Sequence, residues 1–287
     1  MTWKSSATDW PTTWMRSGRW RLTEHVIKLV ATDLDGTLLH TDGTVTAGTR
    51  EVLTAIEDMG ITVVFVTGRP IRWMDDLWEH VGGHGLAICS NGGIVYDVHA
   101  RAVSQARKIP VAVGLEVADM LRAAIPGTTF ALEKTDGFAK EAEFMPRRPH
   151  PPDLAIGPMD EIFDETVVKL LARHEERDPE EFWAQTDSTV GHLVTTTWSS
   201  VGALVEMSAA GVTKASTLKL LCDERGIAST EVVAFGDMPN DLPMLEWVGT
   251  SYAMANAHPM VRELADHVAP SNEDDGVAVT LRELFNL

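Results

Sequence analysis

Short apolar runs alternate with helix-like segments in the first third of the chain, and this alternation limits the possible folds more than any other feature. Mostly apolar, β-branched runs at residues 25–31, 61–66 and 86–89 predict buried strands. Residues 46–59 predict a helix with Thr46 as its N-cap. Strands that alternate with helices form parallel sheets with helices on their faces. The sequence therefore predicts an α/β fold built on a doubly wound parallel sheet.

The regular alternation stops near residue 98 and returns after residue 205. A helix at 213–225 and a strand at 231–235 then restore the α/β order. We therefore expect a core formed by residues 25–97 and 206–287, interrupted by an inserted α/β domain at 98–205. The patterns predict further elements, which are helices at 70–80, 111–124, 179–186, 241–247 and 277–285 and strands at 102–109, 128–133, 167–172 and 191–197.

Residues 1–24 differ from the rest of the chain because they hold four of its nine tryptophans without helical or strand periodicity. Such a segment predicts a poorly ordered N-terminal extension. An arm that docks on a partner or on the chain's own body is the alternative, since clustered tryptophans favour burial.

Composition excludes several classes of protein. Hydrophobic residues make up 44% of the 287 residues and charged residues 23%, which is typical of a globular protein. The net charge of -18 predicts repulsion from nucleic acid and from anionic membranes. Two cysteines form no disulfide framework, and no apolar run reaches the roughly 18 residues that span a bilayer. We expect a cytoplasmic protein, either a monomer or a homodimer, that binds neither nucleic acid nor membrane.

Two pairs of acidic residues follow predicted strands. Asp33 and Asp35, in the sequence Asp-Leu-Asp-Gly-Thr, come directly after the first strand. Asp237 and Asp241, in Gly-Asp-Met-Pro-Asn-Asp, follow the strand that ends at Phe235. Ligands bind beyond the carboxyl ends of strands in open α/β sheets. Crowded carboxylates repel one another unless a cation lies between them or one keeps its proton, and Mg²⁺ is the natural cation for such ligands. A solvated loop is the alternative for the first pair, and a helix cap for the second.

A hydroxyl and a lysine occupy equivalent places. Thr67, Gly68 and Arg69 follow the strand at 61–66, where a hydroxyl and a helix N-terminus form a small anion site. Simple capping by Thr67 is the alternative. Lys214 begins the helix at 213–225, where the helix dipole disfavours a cation. An exposed lysine is the default interpretation, and an anion-binding lysine the alternative.

The four motifs, in this order, resemble those of the haloacid dehalogenase superfamily of phosphatases. Asp33-x-Asp35-Gly-Thr is similar to its first motif, Thr67 to its second, Lys214 to its third, and Gly-Asp237-x-x-Asn-Asp to its fourth. The sequence Ser-Asn-Gly-Gly at residues 90–93 resembles the Cof-type subfamily, apart from a glycine where an alanine or threonine is usual. Members of that subfamily carry a large C2-type α/β cap between the second and third motifs, the interval that the inserted domain occupies.

The resemblance implies a mechanism for the acidic residues. Asp33 would attack phosphorus and form an aspartyl-phosphate, and Asp35 would act as general acid and then as general base. Mg²⁺ would be held by Asp33, the backbone carbonyl of Asp35, and Asp237.

The resemblance also implies the phosphate contacts. Thr67, Gly68, Lys214 and Asn240 would bind the phosphoryl group, and Asp241 would support the metal or Lys214 without contacting the substrate.

Substrate selection is expected from the cap, because the core recognises only phosphate. The candidate cap residues are Arg147, Arg148, His192, Trp198, Glu133 and Lys134.

The function that follows is a Mg²⁺-dependent phosphatase acting on a small phosphorylated metabolite, such as a sugar phosphate. A phosphosugar mutase on the same core is one alternative, and a catalytically silent protein that binds a phosphorylated ligand is another.

Overall fold

The computed structural model describes residues 26–74, 85–146, 154–198 and 202–287. The predicted N-terminal extension lies outside these ranges, as do most of the helix predicted at 70–80 and both arginines of the proline-rich stretch. Within the described part, Pro70 precedes a single 3-10 turn at Ile71–Trp73.

Fourteen strands occur in the described residues and form two sheets. In chain order they are β1 Leu29–Thr32, β2 Thr62–Val66, β3 Leu86–Cys89, β4 Ile94–Asp97, β5 Ala102–Ala106, β6 Thr129–Lys134, β7 Phe138–Lys140, β8 Ala155–Ile156, β9 Val167–Arg173, β10 Val194–Thr197, β11 Leu204–Ala209, β12 Val232–Gly236, β13 Thr250–Met254 and β14 His267–Ala269.

The helices of the described residues vary from one turn to nearly four. In chain order they are α1 Ala47–Asp58, α2 Val111–Ala124, α3 Met159–Ile162, α4 Pro179–Val190, α5 Lys214–Arg225, α6 Leu242–Trp247, α7 Pro259–Leu264 and α8 Gly276–Phe285.

The larger sheet has the strand order β14-β13-β12-β1-β2-β3-β4-β5. The six strands from β14 to β3 are parallel, and β4 and β5 add an antiparallel edge. The central strands β1 and β12 are fully buried because helices cover the sheet, which explains their continuous apolar sequences. This arrangement confirms the predicted α/β fold.

The smaller sheet forms the inserted domain, with the order β10-β11-β9-β6-β7-β8. Its pairs are antiparallel except for β7 and β8. One face packs on α2 and α4 through a separate apolar cluster that includes Leu121, Phe130 and Phe182. The insertion therefore has its own core, as a second domain requires.

The sheets to which the strands belong place both domain boundaries later in the chain than expected. The strand predicted at 102–109 was expected in the insertion, but β5 pairs with β4 in the larger sheet because the two strands form a hairpin. Strand β11 pairs with β9 and β10 in the smaller sheet, although residues 206–209 were assigned to the core. The two sheets therefore divide the chain after Ala106 and after Ala209, not at 97/98 and 205/206.

Other differences concern the ends of elements. The first strand begins at Leu29, not at residue 25. Helix α4 continues to Val190, four residues beyond its predicted end, so that β10 begins only at Val194. Strands β13 and β14 and helix α7 were not predicted, because their short segments lack a clear apolar period.

Gly92 lies where the turn after β3 approaches the N-terminus of α5 closely. Its φ of +103° is unfavourable for other residues, and a Cβ there would lie 2.3 Å from the carbonyl oxygen of Thr213, the N-cap of α5. Gly43 has a similar φ of +84° but open space around it. The two glycines therefore differ in packing and not in backbone conformation.

We expect Gly92→Ala to lower the free energy of unfolding by about 3 kcal/mol, because strain and a steric clash add. Gly43→Ala should cost about 1 kcal/mol, from strain alone. Urea unfolding of the two variants measures both values. Equal losses would show that the contact between Gly92 and Thr213 is unimportant.

Candidate active site

The predicted motifs meet at one edge of the larger sheet. Asp33, Thr67 and Asp237 each follow directly on a strand, and the three strands β1, β2 and β12 are neighbours in the sheet. The backbone N–H of Asp33 donates to the carbonyl of Phe235, which joins the first and fourth motifs. The parallel direction of the strands thus brings residues more than 200 positions apart to one crevice.

Lys214 lies at the centre of this crevice. Its Nζ is 3.0 Å from Oδ1 of Asp33 and 2.7 Å from Oδ1 of Asp241, and all three side chains are buried. Burial opposes the charge on the ammonium, but the carboxylates of Asp241 and Asp33 outweigh it and raise the pKa of Lys214. Lys214 is therefore a buried cation, and the default interpretation as an exposed lysine is wrong.

Asp241 organises the fourth motif. Its Oδ2 accepts hydrogen bonds from the backbone N–H groups of Asp237 and Met238, both at 3.1 Å, while its Oδ1 accepts from Lys214. Both of its oxygens are thus engaged by the protein. This geometry suits a residue that positions Lys214 and the Asp237 loop.

The acidic side chains form a group that could hold a cation. Carboxylate oxygens of Asp33, Asp237 and Asp241 lie within 4.8 Å of one another. Burial, followed by the nearby Asp241, raises the pKa of Asp237 to about 7. Burial also raises the pKa of Asp33 well above its usual value, although Lys214 opposes this effect.

These carboxylates fit a hard divalent ion. Oxygen ligands crowded into a buried site suit Mg²⁺, and a cation would offset the burial and the mutual repulsion that raise the pKa values of Asp33 and Asp237. Asp33 and Asp237 offer the outward ligands, because Asp241 is engaged with backbone N–H groups and Lys214.

Gly36 is the residue that lets the first loop approach the fourth. It has a φ of +73°, and a Cβ on it would lie 2.3 Å from Oδ2 of Asp237. The loop is fixed further by Thr37, whose hydroxyl donates to Oδ1 of Asp237 over 3.1 Å. A glycine between Asp35 and Thr37 is therefore a steric requirement of the site.

Asp35 has a partner that was not predicted as a site residue. Arg69 donates to it through two bonds, from Nε to Oδ2 at 2.7 Å and from Nη2 to Oδ1 at 2.5 Å. The carboxylate of Asp35 is more than half exposed, whereas the guanidinium is largely buried. An arginine three residues beyond a strand end, in a crevice with several aspartates, was the signal that could have identified it.

The predicted phosphate-binding residues lie around the same crevice. Thr67 Oγ1 accepts from the backbone N–H of Arg69 at 3.0 Å. Asn240 Nδ2 donates to Oδ1 of Asn91 over 3.2 Å. Asn91 follows β3 in the left-handed conformation, with a φ of +56°. Its place in the sequence Ser-Asn-Gly-Gly supported the resemblance, but the sequence did not assign it a contact with Asn240.

The cap candidates have varied positions. His192 is exposed in the turn before β10, and Trp198 stacks on Trp183 with 6.5 Å between ring centroids. Glu133 accepts two hydrogen bonds from Arg72, and Lys134 forms an ion pair with Asp164.

Arg147 and Arg148 lie outside the described residues. Lys169, Glu206 and Thr197 are cap residues that contact the loops after β2 and β3, and the sequence did not predict these contacts.

Comparison with known proteins assigns the family. A family profile described as haloacid dehalogenase-like hydrolase matches residues 30–281. The chain belongs to the haloacid dehalogenase-like hydrolases. This confirms the predicted superfamily and enzyme class, a hydrolase that acts on phosphoric monoester bonds.

Relatives of this hydrolase are similar over nearly their whole length. The 5-amino-6-(5-phospho-D-ribitylamino)uracil phosphatase YitU of Bacillus subtilis is 27% identical, with 90% of this chain and 98% of the relative covered. The pyridoxal phosphate phosphatase YbhA of Escherichia coli is 28% identical, with 88% and 96% covered. The fold is similar to the crystal structure of SMU.1108c from Streptococcus mutans, with a TM-score of 0.79, 21% identity, and 91% and 100% covered.

The helices of the described residues are short in comparison with a lipid bilayer. A search of those residues finds no helix with the length and apolar character needed to cross a membrane.

We expect Lys214→Met to lower the rate of phosphate release by about 10²–10³-fold, because it removes a buried cation directed at the reacting charge. Lys219→Met is the matched control, since Lys219 is on the same helix but exposed and paired with Asp223. A colorimetric phosphate assay compares the two variants. Wild-type activity in Lys214→Met would contradict the assignment.

Proposed function

We propose that this hydrolase is a Mg²⁺-dependent phosphatase that cleaves a small phosphorylated metabolite through an aspartyl-phosphate on Asp33. The observation that carries the proposal is the contact of Lys214 with Asp33, 3.0 Å apart, in a buried crevice that also holds Asp237. This combination supplies a nucleophile and a fixed positive charge at one place.

Asp33 is the nucleophile in this proposal. One of its carboxylate oxygens bonds to phosphorus while the bond from phosphorus to the leaving oxygen breaks. Lys214, at 3.0 Å, keeps the carboxylate oriented and offsets the negative charge of the incoming phosphate. Water then attacks the phosphorus, the bond to Asp33 breaks, and inorganic phosphate is released with the carboxylate restored.

Asp35 transfers the protons in both halves of the reaction. It donates a proton to the leaving oxygen and later accepts one from the attacking water. In the structure both of its oxygens accept from Arg69. A proton transfer therefore requires one oxygen to turn away from the guanidinium, and a substrate phosphate is a suitable competing partner for Arg69.

Four groups bind the phosphoryl oxygens. Thr67 accepts from a backbone N–H, so its own hydroxyl hydrogen can donate to phosphate. The Nδ2 of Asn240 carries two hydrogens, of which Asn91 needs one. The Lys214 ammonium, at the start of α5, and the backbone N–H of Gly68, after β2, complete the set.

Mg²⁺ would be held by Asp33, Asp237 and the backbone carbonyl of Asp35. When bound, it supplies positive charge that polarises the phosphoryl group. The residues themselves define the place, because Thr37 fixes Asp237 and Asp241 fixes the loop that carries it.

The substrate is a small phosphomonoester, such as a sugar phosphate. The two named relatives act on a phosphorylated ribitylamino-uracil and on pyridoxal phosphate, according to their names. Both are compact metabolites with one terminal phosphate. The cap contacts the loops of the crevice through Lys169 and Glu206, so a substrate bound there lies beside cap residues.

We expect Asp33→Asn to lower phosphate release from an aryl phosphate by at least about 10³-fold, because the nucleophile is lost. Asp58→Asn is the control, since Asp58 lies exposed at the end of α1. Chelation of divalent metal should abolish activity, and Mg²⁺ should restore it.

Two results would contradict the proposal. Asp33→Asn with unchanged activity would exclude the aspartyl-phosphate. Conversion of a sugar phosphate or a sugar bisphosphate to an isomeric phosphorylated product, without release of free phosphate, would show that the protein is a mutase. A panel of phosphorylated metabolites, assayed for inorganic phosphate, then identifies the preferred substrate.

A further inference from the structure

The cap sheet presents a row of charged side chains to the core. Glu133 on β6 and Lys169 on β9 are partners in register, and Glu206 on β11 is in register with Leu171, two residues from Lys169. Their side chains therefore share one face, because alternate residues of a strand point the same way. The ammonium of Lys169 is 1% exposed and the carboxylate of Glu206 is 13% exposed. Charges buried in this way need specific partners.

Lys169 connects the cap to the second motif. Its Nζ donates to the carbonyl oxygen of Gly68 over 2.7 Å and forms an ion pair with Oε1 of Glu206 at 3.0 Å. Gly68 and Lys169 are 101 residues apart in the sequence. The cap therefore places a positive charge against the backbone of the loop that binds phosphate.

This contact determines the orientation of Thr67. The carbonyl of Gly68 and the N–H of Arg69 belong to one planar peptide unit, so fixing the first fixes the second. The N–H of Arg69 donates to Oγ1 of Thr67 at 3.0 Å. The hydroxyl must then direct its own hydrogen elsewhere, toward the phosphate site. A cation on the carbonyl also polarises the peptide and strengthens the N–H bond.

Glu206 acts in the same way on the fourth motif. Its Oε2 accepts from Nδ2 of Asn91 at 2.7 Å. The same Nδ2 also donates to Oγ1 of Thr197 at 3.1 Å, but a hydroxyl can donate as well as accept, whereas a carboxylate only accepts. The bond to Glu206 therefore selects the orientation in which the oxygen of the Asn91 amide faces Asn240. That oxygen accepts from Nδ2 of Asn240 at 3.2 Å. The orientation of the Asn240 amide therefore depends on a carboxylate of the cap.

We propose that Lys169 and Glu206 are a cap-borne pair of positioning residues that complete the phosphate-binding site of the core. The identity of the ligand as phosphate rests on the proposed function. Lys169 orients Thr67 through the Gly68 peptide, and Glu206 orients Asn240 through Asn91. The affinity for phosphate is consequently coupled to the contact between cap and core, whatever leaving group the substrate carries.

Two matched controls exist in the cap. Lys140 is also a buried lysine of the cap sheet, but its Nζ donates only to carbonyls of the cap itself, at residues 141, 142 and 144. Glu141 has the same exposure as Glu206, at 13%, and its partners Arg122 and the N–H of Phe130 also belong to the cap. Lys140→Met and Glu141→Gln therefore each remove a buried charge of the cap whose hydrogen bonds named above all stay within the cap.

The experiment compares Lys169→Met with Lys140→Met, and Glu206→Gln with Glu141→Gln. Initial rates with an aryl phosphate and with a sugar phosphate give KM and kcat for two different leaving groups. Calorimetric titration of the Mg²⁺-loaded proteins with inorganic phosphate gives a dissociation constant that does not depend on turnover. Thermal melts establish that each variant is folded.

We expect Lys169→Met to raise KM about tenfold for both substrates and to raise the dissociation constant of phosphate by a similar factor. Thr67 and Asn240 contact phosphate both in the bound substrate and during the reaction, so their loss of orientation weakens binding throughout. The value of kcat should therefore change less than about threefold. Glu206→Gln should also raise KM and the dissociation constant of phosphate. The double variant should raise them by less than the product of the two separate fold-changes. Both controls should retain wild-type KM and phosphate affinity.

The proposal is overturned if Lys169→Met and Glu206→Gln bind phosphate as their controls do. It is also overturned if KM changes for one substrate alone, since that result would make these residues contacts of the leaving group. If Lys169→Met does not fold, Glu206→Gln decides by the same criteria. A wild-type protein that binds phosphate but releases none from either substrate would contradict the proposed function, while the phosphate titrations would still test the positioning pair.

Discussion

The buried ion pairs of Lys214 with Asp33 and Asp241 are the interaction on which the rest of the site depends. Burial raises the pKa values of Asp33 and Asp237, and these two carboxylates and that of Asp241 would repel one another without a cation between them. Lys214 can occupy this place because it is the first residue of α5, whose N-cap Thr213 forms a capping box with Ser216. The unfavourable helix dipole at that position is outweighed by two contacts of 3.0 and 2.7 Å. Lys214 therefore stabilises the buried carboxylates and, in the proposed mechanism, also takes part in the chemistry.

The two domains contact each other beside the candidate site through polar side chains, and Val168 of the cap sheet also packs in the apolar core of the larger domain. Each domain has its own apolar core, so the interface between them need not supply the folding energy. Arg72 and Glu133 form a two-bond ion pair there, and Lys169 and Glu206 reach the loops after β2 and β3. Polar interfaces of this kind can open and close because they exchange their partners with water. In the proposed mechanism, the contact between cap and core orients the phosphate-binding groups.

Sequence patterns predicted elements whose ends are determined locally. Helix α1 was expected at 46–59 and occurs at Ala47–Asp58, because Thr46 caps it and accepts from the N–H of Thr49. The same argument holds for α5, which ends at Gly226 in the left-handed conformation. Strand β5 was assigned to the wrong domain because nothing in its own residues indicates which sheet it joins. Lys169 lies within an apolar strand, and its partners Gly68 and Glu206 are 101 and 37 residues away.

The sequence by itself determined the α/β fold, the family, and the strand ends at which Asp33, Thr67 and Asp237 occur, because these depend on periodicity and on motifs of a few residues. Only the tertiary structure decided the pairs: Arg69 with Asp35, Asn91 with Asn240, and the cap charges with the loops of the core. The physical reason is that a hydrogen bond or ion pair acts over about 3 Å. The order of strands in the two sheets and the contact between the two domains determine which side chains come that close. Short-range sequence patterns contain no information on either.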